Sequence, residues 1–225
     1  MIEGVLFDAG NTLIKMEQDT AEILYEIIED PTISIEEVYT AYKKSRSFYR
    51  DYYNEDMDHK TFWSAFIQSA LENLGIEEKR GEEFYEIIAE KTEFVPYPET
   101  SEVLSKLSKD YSLGIVSNWD LELSINDVLE DLELKEYFSS VISSSDIKIL
   151  KPDPQIFLEA LRRLDLKPHQ CFYIGDELYE DIHGARNVGL IPILIDREGN
   201  YRETDCPKIE NLKGIYTYLE RDKFL

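Results

Sequence analysis

Apolar and polar positions along this chain change their period twice. Near the N-terminus, Gly4-Val5-Leu6-Phe7 is a short apolar run that stops at Asp8 and a small-residue turn, Ala9-Gly10-Asn11. It is too short for a helix and bounded by Gly, so it predicts a buried parallel strand. From there to about position 95 the period is helical. Ile23, Leu24, Ile27 and Ile28 share one face of a helix over 20–30 that Pro31 stops. Ser34 and Glu37 form a capping-box pair opening a second helix to about Tyr53. A third, over 59–74, places Phe62, Trp63, Phe66, Ile67, Ala70 and Leu71 inward and ends at Gly75, and a fourth covers about 78–92. Four consecutive helices with short loops predict a small bundle.

Beyond Pro96-Tyr97-Pro98 strand and helix alternate. Helices over 99–108, 121–132, 154–164 and 178–188 precede strands over 112–117, Val141-Ile142, 171–175 and 191–195, and a last helix covers about 209–220. Regular βα alternation predicts an α/β fold, a Rossmann-like parallel sheet with helices on both faces. The simplest division is an α/β core of residues 1–14 and 96–225 with an inserted four-helix domain over 15–95.

Composition narrows the class. A length of 225 residues with 43% hydrophobic and 12% aromatic content suffices for a packed core. Two cysteines, Cys171 and Cys206, make no disulfide framework and no zinc-binding CxxC pair. No basic leader with an apolar stretch precedes the first strand and nothing reaches the length of a membrane span, so a cytoplasmic protein without membrane contact is expected. The net charge is −23, and residues 15–95 hold 20 acids against 9 bases, so the acidity is spread over both parts. That charge argues against nucleic-acid binding, where cations must neutralise phosphates.

The candidate chemistry lies where the strands end. Leu113-Gly114-Ile115-Val116 runs into Ser117-Asn118, the loop after Val141-Ile142 leads to Lys151-Pro152-Asp153-Pro154, and Phe172-Tyr173-Ile174-Gly175 runs into Asp176 with Asp181 five residues on. In a parallel sheet these ends share one edge, where open α/β sheets bind ligands. Asp8, Ser117, Lys151, Asp176 and Asp181 are therefore expected to converge. An aspartate nucleophile, further carboxylates for a divalent cation, and a lysine and hydroxyl for anionic oxygens make a phosphoryl-transfer site.

In these four clusters, in this order and over the whole chain, the sequence resembles haloacid dehalogenase-like (HAD) superfamily hydrolases with a helical cap after the first motif. The resemblance implies Asp8 as nucleophile and metal ligand, Lys151 as catalytic lysine, and Ser117 with Asn118 beside it as the phosphate-binding pair. It also implies Mg²⁺ held by Asp8, the Gly10 carbonyl, Asp176 and Asp181, with a small phosphorylated molecule as substrate. An all-oxygen site suits Mg²⁺.

The first motif departs from the family. Phosphatases of this kind show Asp-x-Asp, the second Asp serving as general acid and base; here that position is Gly10, followed by Asn11 in place of Gly. General acid–base catalysis is worth about 10²–10⁴-fold, so good leaving groups are favoured. Asp120 and Glu177 are nearby acids, the first better explained as a helix cap and the second as a surface residue. Two alternatives stand: a metal-independent 2-haloacid dehalogenase, against which the intact Gly175-Asp176 counts, and a weakly active binding protein. A phosphonate hydrolase would need an activated cap lysine, and nothing marks Lys43, Lys44 or Lys60 as one.

For the substrate, Tyr39, Tyr42, Arg46, Tyr49 and Tyr53 recur at helical spacing; Arg46 is the candidate anion ligand, although such stripes more often face a core. Trp119 is as consistent with packing as with lining a pocket. His59, His169 and His183 show no ligand spacing. Monomer and homodimer are equally compatible with the sequence.

Overall fold

A computed structural model describes residues 1–52, 59–119 and 123–222, with the side chains of 46–52, 59 and 221–222 outside the description. Eight strands are described: β1 (Gly4–Phe7), β2 (Ile14–Met16), β3 (Phe94–Pro96), β4 (Ser112–Ser117), β5 (Ser140–Ser143), β6 (Cys171–Gly175), β7 (Ile191–Ile195) and β8 (Lys208–Ile209). Six form one parallel sheet in the order β5-β4-β1-β6-β7-β8, and β2 pairs with β3 in a separate ribbon. Among the described residues the helices are α1 (Thr20–Ile28), α2 (Ile35–Tyr52), α3 (His59–Asn73), α4 (Gly81–Lys91), α5 (Thr100–Leu107), α6 (Ile125–Asp131), α7 (Ser144–Ile147), α8 (Pro154–Leu164), α9 (Gly184–Val188) and α10 (Ile215–Asp222).

The sheet is buried on both faces because its strands carry apolar side chains at both parities. Val5, Phe7, Leu113, Ile115, Phe172 and Ile174 point to one face and pack with Val103 and Leu104 of α5, Val128 of α6 and Leu219 of α10. Leu6, Val116, Ile142 and Tyr173 point to the other and pack with Phe157 and Leu161 of α8 and Ala185 of α9. A near-continuous apolar strand needs this double cover.

Strand order positions the chemistry. β1 lies between β4 and β6, with Phe7 in register with Ile115 on one side and Ile174 on the other. The residues after Phe7, the end of β4 and the residues after Gly175 thus fall on one edge at the centre of the sheet. The chain crosses to opposite sides of β1 to build β4 and β6, which makes this edge the topological switch point.

The chain divides into two compact units, Met1–Lys15 with Phe94–Leu225, and Met16–Glu93. The second holds α1 to α4 around Ile23, Leu24, Val38, Phe66, Ile67, Leu71, Phe84 and Ile88. Its helix ends follow local rules. Asp19 and Glu22 form a reciprocal capping box for α1, which closes at Glu29 in the left-handed region rather than at Pro31. Ser34 Oγ accepts from the Glu37 N–H at 3.3 Å while the Glu37 carboxylate takes the Ser34 N–H at 2.8 Å.

Candidate active site

Asp8 follows β1 and is 7% exposed. Ser117, the last residue of β4, donates from Oγ to Asp8 Oδ1 at 3.2 Å, and Lys151 Nζ donates to the same oxygen at 2.6 Å. Both side-chain donors take Oδ1. Lys151 is itself 5% exposed and also donates to Asp181 Oδ1 at 2.7 Å. Its loop is held by Asn118, whose Oδ1 accepts the Lys151 N–H at 2.7 Å and whose Nδ2 donates to the Lys151 carbonyl at 3.1 Å. The Asn118 amide, expected beside the phosphate, is thus spent on the lysine's main chain.

Asp176 leaves β6 next to Asp8 and Asp181. Ligand oxygens of these three carboxylates all lie within 4.8 Å of one another. Burial foremost, then the charges of Asp8, Asp181 and Glu177, drives the Asp176 carboxyl up to about 8. Burial and the Asp181 charge raise the Asp8 carboxyl to about 6 against the pull of Lys151. Burial alone lowers the pKa of Lys151, but Asp181 and Asp8 outweigh it and the ammonium is held above its ordinary range. When all three are ionised, the carboxylates around one ammonium carry two net negative charges, and carboxylate oxygens are hard ligands. The donor set therefore fits an oxygen-preferring divalent cation.

Asp181 is the most constrained of the three. Its Oδ1 takes Lys151 Nζ and, at 2.9 Å, the Tyr173 hydroxyl, while Oδ2 accepts the Glu177 N–H at 3.0 Å. A Cβ on Gly175 would lie 2.3 Å from the Asp181 Cγ, so only glycine fits before Asp176. The expected helix over 178–188 is a π-helical turn over Leu178–His183 followed by α9. π-turns are frequent at functional sites, and this one carries Asp181.

Tyr173 was not legible as a functional residue. It is fully buried in the middle of β6, and its hydroxyl lies 3.2 Å from Lys151 Nζ and 3.0 Å from the Val116 carbonyl. The available signal was a lone phenol in an otherwise apolar strand, because a buried Tyr O–H must find a partner.

The turn after Asp8 explains part of the first-motif departure. Asn11 has φ 53°, in the left-handed region. Asn is among the few non-glycine residues that enter it at little cost, which lets it stand where glycine is usual. Gly10 needs no such freedom, and a Cβ built on it meets nothing within 4 Å.

Other expected positions fall elsewhere. The side chains of Arg46 and Tyr49, and all of Tyr53 and Asp120, lie outside the described residues. The helix expected from 121 starts at Ile125, with Ser124 as its N-cap. Tyr42 packs against the helical core while Tyr39 is 40% exposed. Trp119 is buried, donates to the Leu123 carbonyl at 2.7 Å and packs on Phe94. His169 and His183 are exposed. Lys60 pairs with Glu86 at 2.6 Å and Glu82 at 2.9 Å, and these hydrogen bonds raise its pKa, the opposite of an activated amine. Both cysteines are free, and among the described residues no helix is long and apolar enough to cross a membrane.

The parallel sheet thus sets a buried aspartate, a lysine and two further carboxylates together at its switch point. The family model for haloacid dehalogenase-like hydrolases matches residues 2–189, and the chain belongs to that family. It is 36% identical over 111 residues to a glyceraldehyde 3-phosphate phosphatase of Methanopyrus kandleri, covering 49% of this chain and 47% of that one. The chain thus spans about half the length of the curated relatives of this kind that it matches. It is 30% identical over 154 residues to (S)-2-haloacid dehalogenase 4A of Burkholderia cepacia, covering 67% of this chain and 65% of that one. Among solved structures it is similar to a HAD phosphatase from Thermococcus onnurineus, at 26% identity and a TM-score of 0.67, over 97% of this chain and 98% of that one. Its relatives thus include both phosphatases and dehalogenases.

Proposed function

We propose that the chain is a Mg²⁺-dependent phosphatase acting on a small phosphorylated metabolite through a phosphoryl group carried on Asp8. The observation that carries this reading is the trio Asp8, Asp176 and Asp181 within 4.8 Å, with a single lysine to offset it. Asp8, Asp176, the Gly10 carbonyl and, directly or through water, Asp181 would hold the cation. When bound, Mg²⁺ supplies charge neutralisation for the carboxylates and the transferred group. The phosphatase names of the relatives in Methanopyrus kandleri and Methanothermobacter thermautotrophicus support a small phosphorylated substrate.

In the first step Asp8 Oδ2 attacks phosphorus. The Oδ2–P bond forms as the bond to the leaving oxygen breaks, and the electron pair departs with that oxygen. Ser117 Oγ–H and the Lys151 ammonium face the non-bridging oxygens, while Asn118 and Tyr173 hold Lys151 in place. In the second step water adds to phosphorus and the Oδ2–P bond breaks, which restores the Asp8 carboxylate and releases phosphate, the water proton passing to phosphate or solvent. Gly10 offers no proton in either step. Aryl phosphates, acyl phosphates and phosphoanhydrides, whose leaving groups need none, are the favoured chemistry. Arg46, on α2 of the helical cap, remains the candidate for gripping a substrate anion.

Trapping with beryllium fluoride and Mg²⁺ tests the reading directly. The fluoride adduct is expected on Asp8, Asp8→Asn should abolish trapping and turnover together, and an adduct elsewhere overturns the mechanism. The dehalogenase reading draws on the missing acid at Gly10 and the Burkholderia cepacia relative. In a metal-free dehalogenase Asp176 would repel Asp8 with no cation to offset it. Chloride release from a 2-haloacid in the presence of a chelator separates the two.

A further inference from the structure

The loop that carries Gly10 has an anchor that its own sequence does not supply. Arg197, two residues past β7, donates from Nε to the Asn11 carbonyl at 3.1 Å and from Nη2 to the Thr12 carbonyl at 2.6 Å. Nη1 donates to Glu99 Oε1 at 2.8 Å, and the guanidinium lies 3.5 Å from the centroid of the Tyr97 ring. The same segment takes up the next carbonyl, since the Tyr97 N–H and Thr100 Oγ1 both donate to Leu13 O, at 3.1 and 2.8 Å. Burial acts to raise the Glu99 carboxyl, but hydrogen bonds from Arg197 and the Leu212 N–H outweigh it and keep it ionised below its ordinary range. The Arg197 and Glu99 side chains are only 13% and 12% exposed. This is a rigid, planar fork stacked on an aromatic face, a geometry lysine cannot reproduce.

We infer that Arg197 is the positioning residue for the Asp8 loop, fixing its Asn11 and Thr12 carbonyls so that the carboxylate cluster is preorganised for its cation. The physical need comes from the sequence. The glycine and left-handed asparagine two and three residues after Asp8 have little local preference for one conformation. The Leu13 and Ile14 N–H groups close the turn on the Ala9 carbonyl, at 2.9 and 3.0 Å, and Arg197 adds a hold on its Asn11 and Thr12 carbonyls from a distant part of the chain. The inference rests on the cation-binding reading above and deepens it.

The test is Mg²⁺ affinity, measured by calorimetry on the whole protein, for the parent and Arg197→Ala. Charge and position predict opposite signs. Deleting a cation near an acidic cluster tightens Mg²⁺ binding if only the field matters, whereas loss of positioning weakens it, by about tenfold as for residues that orient metal ligands. Free guanidinium below denaturing concentration should restore part of the lost affinity, and Arg197→Lys should stay impaired. Equal or tighter Mg²⁺ binding by folded Arg197→Ala, or weakening that guanidinium leaves untouched, overturns the inference. If Arg197→Ala does not fold, Arg197→Lys carries the test, because it keeps the charge and loses the planar fork. Weaker Mg²⁺ binding by Arg197→Lys then supports the inference and unchanged binding overturns it. A parent that binds no Mg²⁺ instead overturns the cation-binding reading itself.

Discussion

Asp176→Asn should stabilise the metal-free protein while removing its response to Mg²⁺. Asp176 is held at about 8 from an ordinary 3.8 by burial and by the charges of Asp8, Asp181 and Glu177. A carboxyl raised on folding keeps its proton longer in the native state, so its contribution is fully present below about pH 4. It is lost as pH rises through about 8. The four pH units between these values correspond to about 6 kcal/mol, and halving this for solvent access to a half-buried group leaves about 3 kcal/mol. Geometry gives the same order: a like charge at 4.8 Å costs about 3 kcal/mol at an effective dielectric near 20, with two such neighbours partly offset by Lys151. For a chain of this size, about 3 kcal/mol is roughly 6–12 °C in melting temperature. Thermal unfolding of parent and variant, with and without millimolar Mg²⁺, reads this out. At about pH 8 in chelator the variant should melt well above the parent, and near pH 5 the gap should shrink. Mg²⁺ should raise only the parent. A variant that melts below the parent at about pH 8, or that keeps the Mg²⁺ response, refutes the charge argument.

Gly10→Asp should raise turnover on alkyl phosphates by about tenfold or more, and on aryl phosphates by less, since for the latter only the clearing of phosphoryl-Asp8 needs the acid; a Cβ there meets nothing within 4 Å and acid–base help is worth about 10²–10⁴-fold. No gain on alkyl phosphates by the folded variant would count against an acid–base role for position 10. Tyr173→Phe removes one oxygen from the Lys151–Asp181 contact. It should lower kcat about tenfold and shift the alkaline limb of the pH–rate profile, whereas an unchanged profile would make Tyr173 mere packing. Gly175→Ala drives a methyl to 2.3 Å from Asp181 and should cost about 2 kcal/mol or more in a denaturant titration, together with most activity. A stable, active alanine variant would show that Asp181 has room to move.

The site was legible where chemistry interrupts an apolar run. A carboxylate at the end of Val5-Leu6-Phe7 or of Phe172-Tyr173-Ile174 has no packing reason to be there, and parallel topology brings such ends together. The features without a readable local pattern are either very short or very long in range. β2 and β3 are three residues each and β8 only two, below the length at which alternation can be read. The π-turn over Leu178–His183 carries an ordinary helical pattern; its widening goes with Asp181, whose carboxylate is tied to Lys151, Tyr173 and the Glu177 N–H. Arg197 meets the Asn11 and Thr12 carbonyls across about 185 residues of chain, with no local pattern to announce it. The tyrosine stripe is legible only in part. Its helical spacing is real, yet Tyr42 packs with Phe66 while Tyr39 reaches Glu22 from an exposed position.

Gly10 separates two functions that a second aspartate would join. In the proposed cycle an acid at that position serves twice, protonating the leaving oxygen and then taking a proton from water. A good leaving group removes the first need but never the second, because the same Asp8 phosphoryl group must be hydrolysed whatever delivered it. In that cycle cation binding and phosphoryl transfer would rest on Asp8, Asp176, Ser117 and Lys151, and ask nothing of the side chain at 10. The departure therefore falls on the second half of the reaction alone for activated substrates and on both halves for alkyl phosphates. On the proposed mechanism such a chain would load phosphoryl groups faster than it clears them. The rate at which water reaches Asp8 then sets turnover, which makes the rigidity of the Gly10 loop, and so its anchorage by Arg197, the structural variable that matters.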